Sequence, residues 1–251
     1  MNDADLIKEW KGEEESNFEG WDFSRLGNRY DEGHPEWAYE KNAKNLIKNS
    51  ESVLDMCTGG AEVFCRILSS FKPNNVKAVE KYEPNVSVAQ NVLNNFGGKV
   101  FFVSDDDVLP FESGEFDLVL NRHGAFSVKE LSRIIRSRGV FFTQQVEATN
   151  WADLMAEFGD TPNWPENTLS NVVEKLKKED FIIERAEEWE GKTFFKDIGA
   201  LVYVLKAIPW IVNNFSVDKH KEFLLRLHKK VQNEGKLEFS SRRYLILARK
   251  K

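Results

Sequence analysis

From Glu51 to Val146 the chain alternates short apolar runs with amphipathic stretches, and this alternation most constrains what it can fold into. Ser52–Met56, Val76–Glu80, Lys99–Ser104, Phe116–Asn121 and Val140–Val146 read as strands, being apolar but too short for helices. Glu62–Phe71 and Pro84–Phe96 have a helical period between them, the second opened by proline and closed by Gly97-Gly98. Ser127 and Glu130 form a capping-box pattern for a helix running to Arg136, with Gly139 at its expected break. Strands and helices at this spacing imply right-handed βαβ units and a parallel sheet covered on both faces. Ligands of such sheets bind outside the carboxyl ends of the strands. Chemistry is therefore expected after Met56, Glu80, Ser104, Asn121 and Val146.

The flanks read differently. Residues 1–45 are rich in Trp, Asp and Glu without a sustained period, which predicts a loop-rich N-terminal extension and a candidate active-site lid. Residues 46–251 are read as one domain. Beyond the fifth strand, 150–158 and 167–178 look helical, and Phe181–Glu188 and Leu237–Arg249 read as two last strands. Between those strands, Asp197–Trp210 and Val217–Gln232 form a late helical insertion over about 192–233.

The 251 residues suit one enlarged domain, and 41% hydrophobic with 30% charged residues gives a real core under a solvated surface. Two cysteines, Cys57 and Cys65, make neither a disulfide framework nor a four-ligand zinc site, so no metal is expected. The acidic start without an apolar core segment carries no secretory signal, and a cytoplasmic location is expected. The longest apolar stretch, Ile198–Val212, has 15 residues with a lysine and a proline inside. A membrane span needs about 20.

The net charge of -6 hides an asymmetry: residues 219–251 hold eleven Lys and Arg against three Asp and Glu, a local +8, which leaves -14 on residues 1–218. A mostly acidic body repels a nucleic-acid backbone, and the basic end reads as a solvated helix and edge strand.

After the first strand the chain reads Asp55-Met-Cys57-Thr-Gly59-Gly60-Ala61-Glu62. Small residues let the backbone turn tightly against a ligand, and the helix that follows offers free N–H groups. Glu80 ends the second strand, where a carboxylate can accept both hydroxyls of a ribose. Asp105-Asp106 follows the third strand, where a carboxylate can take an exocyclic amine and a backbone N–H a ring nitrogen. Asn121-Arg122-His123-Gly124 ends the fourth. The absence of G-x-G-x-x-G spacing, with Asp55 ahead of the loop, argues against a nicotinamide dinucleotide.

These residues resemble the class I S-adenosylmethionine-dependent methyltransferases, close to the type 11 small-molecule group. VLDMCTGGAE resembles the family's first motif and VKAVEKYEPN its acidic ribose motif. VSDDDVLPFESGEFDLVLNRH resembles its adenine and fourth-strand motifs, and ELSRIIRSRGVFFTQQ its late helix-strand motif. The resemblance covers about residues 50–147. It implies an α/β, doubly wound, mostly parallel seven-stranded sheet with an antiparallel last strand, matching the seven strands counted above. It also implies S-adenosyl-L-methionine as cofactor and methyl transfer to a small-molecule acceptor by direct displacement. Carried over by position, it puts Asp55, Cys57, Gly59 and Ala61 at the amino-acid end of the cofactor, Glu80 on the ribose, Asp105 and Asp106 on adenine, and Asn121 beside the methionine portion. The family usually has glycine where this chain has Cys57 and Ala61, which implies weaker or shifted cofactor binding.

His123 is the candidate general base for a hydroxyl or ammonium acceptor, or else a histidine that holds its loop. Gln144 and Gln145 end the fifth strand, where one of them should meet the substrate. Trp10, Trp21, Phe23, Trp37 and Tyr39 are candidates for a lid or for packing, with Trp21 the chosen substrate contact. The apolar helix near 198–211 is either a roof over the acceptor or core. Cys57 is either a reactive thiol at a helix N-terminus or a packing residue. Two other functions stay open: methylation of a nucleic-acid base, suggested by the basic end, and a cofactor-binding module without turnover, suggested by the altered glycine loop.

Overall fold

A computed structural model of the chain describes residues 2–18 and 23–251, and Trp21 lies outside the described residues. In chain order the elements are α1 (Asp3–Glu14), β1 (Tyr30–Asp31), α2 (Tyr39–Ile47), β2 (Ser52–Met56), α3 (Glu62–Leu68), β3 (Asn75–Glu80), α4 (Glu83–Leu93) and β4 (Lys99–Phe102). Then follow β5 (Phe116–Arg122), α5 (Val128–Ile134), β6 (Ile135–Val146), α6 (Ala152–Glu157), α7 (Leu169–Lys178), β7 (Phe181–Phe195), α8 (Ile198–Ala207), α9 (Val217–Glu234) and β8 (Leu237–Lys250). They fall into two compact units, the first made of Glu36–Glu147, Glu166–Trp189 and Arg243–Lys251, the second of Met1–Pro35, Ala148–Pro165 and Glu190–Arg242.

In the first unit β2 pairs in parallel with β3 and β5, β3 with β4, and β5 with β6, while β8 runs antiparallel to β6. Strands buried on both faces explain the near-continuous apolar runs in the sequence. Neighbouring residues point to opposite faces: Val53, Leu118 and Phe142 join Ile47, Phe64 and Ile67, whereas Leu54, Val119 and Phe141 join Leu131, Ile134 and Leu176. Each such side chain withdrawn from water contributes about 1.5–3 kcal/mol.

The sheet has eight strands, in the order β1-β7-β8-β6-β5-β2-β3-β4, rather than the expected seven. The added strand is β1, a two-residue segment whose Tyr30 pairs with Phe195 inside the second unit. It was missed because two residues are too short to show a period. The N-terminal segment is also more ordered than a loop-rich extension: α1 is a full helix, capped by Asn2, whose side chain accepts the Asp5 N–H at 2.9 Å. The strand expected at 181–188 runs on to Phe195, and the helix expected to reach Arg136 stops at Ile134. Gly139 lies in a bulge at the start of β6, where a Cβ would come within 2.6 Å of Ile135 Cγ2.

In the second unit α8 is buried all round from Ile198 to Leu205, so the apolar helix is core there, packed in one cluster with Trp10, Trp151 and Leu224. Asp197 caps α8 through the Ala200 N–H at 2.8 Å, and Arg29 holds its two carboxylate oxygens at 2.7 and 2.8 Å. Among the described residues no helix is long and apolar enough to cross a membrane.

Candidate functional site

The parallel registers bring the expected residues to one edge of the first unit. Met56 is level with Val79 and with Asn121, Asn121 with Thr143, Arg122 with Gln144, and Glu80 with Phe102. Strand order reverses between β2 and β5, so the loops after these two strands diverge and open a crevice.

Glu80 organises this edge. Its Oε2 accepts the Gly59 N–H at 2.7 Å, and its Oε1 accepts the N–H groups of Lys81 at 3.0 Å and Tyr82 at 2.8 Å. Three charge-assisted hydrogen bonds stand in for water around a buried carboxylate. They also tie the loop after β2 to the loop after β3. Oε2 keeps lone-pair capacity toward the crevice.

The loop itself is strained. Cys57 and Ala61 have φ of 57° and 66°, the left-handed region that favours glycine, as does Gly59 at 61°. For residues with a Cβ this costs about 1–2 kcal/mol each. The two substituted glycine positions therefore keep the glycine conformation. Cys57 also fills space: a Cβ on Gly124 would lie 2.4 Å from Cys57 Cβ, so only glycine fits opposite it. Burial pushes the Cys57 thiol up to about 12, with Asp106 and Glu80 adding to it, so the residue packs as a thiol and is no thiolate nucleophile.

Asp55 is buried with no cation against it. Burial pushes it up to about 7 and the Glu80 charge adds to this, while the Thr58 hydroxyl and Arg122 act the other way. Thr58 Oγ1 makes no hydrogen bond of normal geometry, the one such buried side-chain atom among the described residues. Farther along the edge, Asp105 takes the Asp107 N–H on one oxygen at 2.9 Å, and Asp106 pairs with Lys81 at 2.8 Å.

Asn121 is fully buried: Nδ2 donates to Met56 O at 3.3 Å, and Oδ1 accepts from Thr143 Oγ1 at 3.1 Å and from Gln145 Nε2. Gln145 also donates to Gly124 O at 3.0 Å, so it latches the loop after β5. Gln144 bridges Trp37 Nε1 at 2.7 Å and His123 Nε2 at 2.8 Å. Tyr39 stacks on Phe142 at 4.9 Å and its hydroxyl donates to Asn121 O at 3.3 Å. Of the aromatic lid candidates, Trp37 and Tyr39 thus belong to this edge, while Trp10 and Phe23 pack in the second unit. A cavity of about 340 Å³ lies at the opposite, amino-terminal end of the strands, beside Asp117, Arg136, Arg138, Val140 and Arg249, away from all of these groups.

No family model matches the sequence, and no curated protein matches it. Solved structures do. A methyltransferase candidate from Bacillus halodurans C-125 is similar at TM-score 0.61 and 18% identity, over 86% of this chain and 98% of its own. The YcgJ protein from Bacillus subtilis follows at TM-score 0.56 and 17% identity, over 84% and 99%. A geranyl diphosphate methyltransferase in complex with S-adenosylmethionine is similar at 0.52 and 11%, over 84% and 85%. The chain has the class I methyltransferase fold.

That fold implies S-adenosylmethionine, and the residues present fit it. A buried carboxyl without an ion pair, a Thr58 hydroxyl without a hydrogen bond of normal geometry and a left-handed glycine-type loop lie at one edge. The carboxyl suits a cationic group and the hydroxyl a hydrogen-bonding one, and the loop's small residues let the backbone approach a ligand.

Two outcomes check this geometry. Asp55 keeps its proton in the folded chain up to about pH 7 but loses it near 3.8 when unfolded, so stability falls as pH rises between those values and then levels. At about 1.4 kcal/mol per pH unit the loss reaches about 4 kcal/mol, and Asp55→Asn should remove it, giving a melting temperature above wild type at pH 8 and near it at pH 4. Gly124→Ala should cost about 1–3 kcal/mol in denaturant unfolding, and Cys57→Gly should recover most of that; independent costs would contradict the contact.

Proposed function

We propose that the chain is an S-adenosylmethionine-dependent methyltransferase acting on a small molecule. The observation that carries this reading is the Glu80 latch: a buried carboxylate at the end of β3 holds the strained Gly59 loop open at the strand-order reversal.

In this reading Gly59, Ala61 and the neighbouring backbone line the amino-acid end of the cofactor, with the Asp55 carboxylate facing its ammonium. Glu80 Oε2 takes a ribose hydroxyl, while Oε1 stays on Lys81 and Tyr82. The second oxygen of Asp105 takes the adenine amine, and the Asp106 N–H faces the ring. Asn121, locked by Met56, Thr143 and Gln145, walls the methionine portion. When bound, the cofactor supplies a methyl group on a positively charged sulfur. The protein's task is alignment and exclusion of water, for which no strong base is required. Trp37, Tyr39, His123 and Gln144 then wall the place where the acceptor's nucleophilic atom would stand.

Calorimetry with S-adenosylmethionine and S-adenosylhomocysteine tests the reading. Both should bind, and Glu80→Ala should weaken binding at least about tenfold, or about 1.4 kcal/mol. Affinity should rise with pH up to about 7 and then level, because Asp55 must give up its proton to face the ammonium. No heat from either ligand at any pH would overturn the proposal.

A further inference from the structure

An indole Nε1–H can only donate, and Trp37 donates to Gln144 Oε1 at 2.7 Å. This contact orients the Gln144 amide. Its oxygen faces the indole and its Nε2 faces His123 Nε2, 2.8 Å away. An amide NH2 is a donor, so His123 Nε2 must supply the lone pair, and the neutral ring carries its proton on Nδ1.

A second ring proton would set N–H against N–H. Desolvation by the surrounding protein atoms holds His123 well below the usual histidine range, and the charges of Arg122 on β5 and Arg243 on β8 act in the same direction. The backbone fixes the ring's place: His123 has φ of 59°, and its N–H donates to Gln144 O at 2.8 Å. The ring's single lone pair is thus occupied by Gln144. Nδ1–H has no protein partner among the described residues, and His123 is an exposed residue.

The residue before it is Arg122, the last of β5, whose exposed side chain makes no ion pair or hydrogen bond among the described residues. The β5–β6 register sets it level with Gln144 at this edge, and its charge acts on His123, Tyr39, Asp55 and Glu40. Neither nearby acid is paired with it: Glu40 is paired with Arg66 at 2.6 Å, and Asp55, which is protonated below about pH 7 without ligand, faces the cofactor's ammonium in the proposed complex. A fixed donor and an unpaired guanidinium together suit an anionic oxygen.

We propose that Trp37 and Gln144 lock His123 as an Nδ1–H donor, and that this donor, with Arg122, selects methyl acceptors that carry a carboxylate. His123 then binds and orients the acceptor, and the general base that was one of its two readings from the sequence is not its role. The selection rests on the methyltransferase reading; the tautomer rests on the protein alone.

Long-range proton–nitrogen spectra of the His123 ring test the tautomer in the protein without ligand. The expected pattern at pH 7 is a bare Nε2 and a protonated Nδ1. Gln144→Glu, whose carboxylate accepts from both Trp37 and the ring, should move a proton to Nε2 and raise the ring's titration by about one pH unit or more. A protonated Nε2 in the wild type would overturn the lock. For selection, the protein saturated with S-adenosylhomocysteine is titrated with acetate, propionate and benzoate, each against its carboxamide. The acids should bind about tenfold more tightly than the amides, and Arg122→Gln, itself saturated with S-adenosylhomocysteine, should abolish the difference. Equal or undetectable binding of acids and amides to the saturated protein overturns the selection. Failure of S-adenosylhomocysteine itself to bind would instead sink the methyltransferase reading and leave the tautomer result standing.

Discussion

The Glu80 carboxylate is buried at the end of a central strand, and it is tolerable there because three backbone N–H groups surround it. Those bonds join the loop after β2 to the loop after β3, and so fix the shape of the crevice where strand order reverses. The strain at Cys57 and Ala61 persists because the surroundings determine the loop's path: Glu80 holds Gly59, the Ala61 N–H returns to Thr58 O at 2.9 Å, and the Thr58 N–H bonds to Val79 O at 3.1 Å. Remove the latch and the left-handed residues have no reason to stay as they are.

A second constraint sits on the other side of the crevice. Asn121, Thr143 and Gln145 form a closed set of donors and acceptors, while Trp37, Gln144 and His123 form a directed line. The two networks use neighbouring glutamines on opposite faces of one strand, so one strand end fixes both Asn121 and His123. Asp55 differs from all of these in being buried with only partial compensation, from the Thr58 hydroxyl and the Arg122 charge, and the protein without ligand gives up stability there at neutral pH.

Much of the architecture was legible because parallel strands buried on both faces announce themselves as short apolar runs; β2 matches the Ser52–Met56 expectation residue for residue. The edge at which Glu80, Asp105 and Asn121 stand followed from that. What period could not show was β1, only two residues long, or the end of α5, where Ile135 leaves the helix to pair with Phe116. Trp37 was legible as an aromatic residue ahead of the core, but its bond to Gln144 spans 107 positions and no local pattern carries it. The free guanidinium of Arg122 was likewise hidden, since being unpaired is a property of the fold and not of the residue.

The central claim is that the crevice at Glu80 and Gly59 receives S-adenosylmethionine. Amide proton–nitrogen spectra recorded during titration with S-adenosylhomocysteine test it most directly, because each amide of the latch reports separately. Saturable shifts at Gly59, Lys81, Tyr82 and Asp106, with the amides around Arg138 and Val140 at the opposite end of the strands unmoved, are the predicted result. Unchanged amides at Gly59 and Tyr82 at saturating ligand would contradict it.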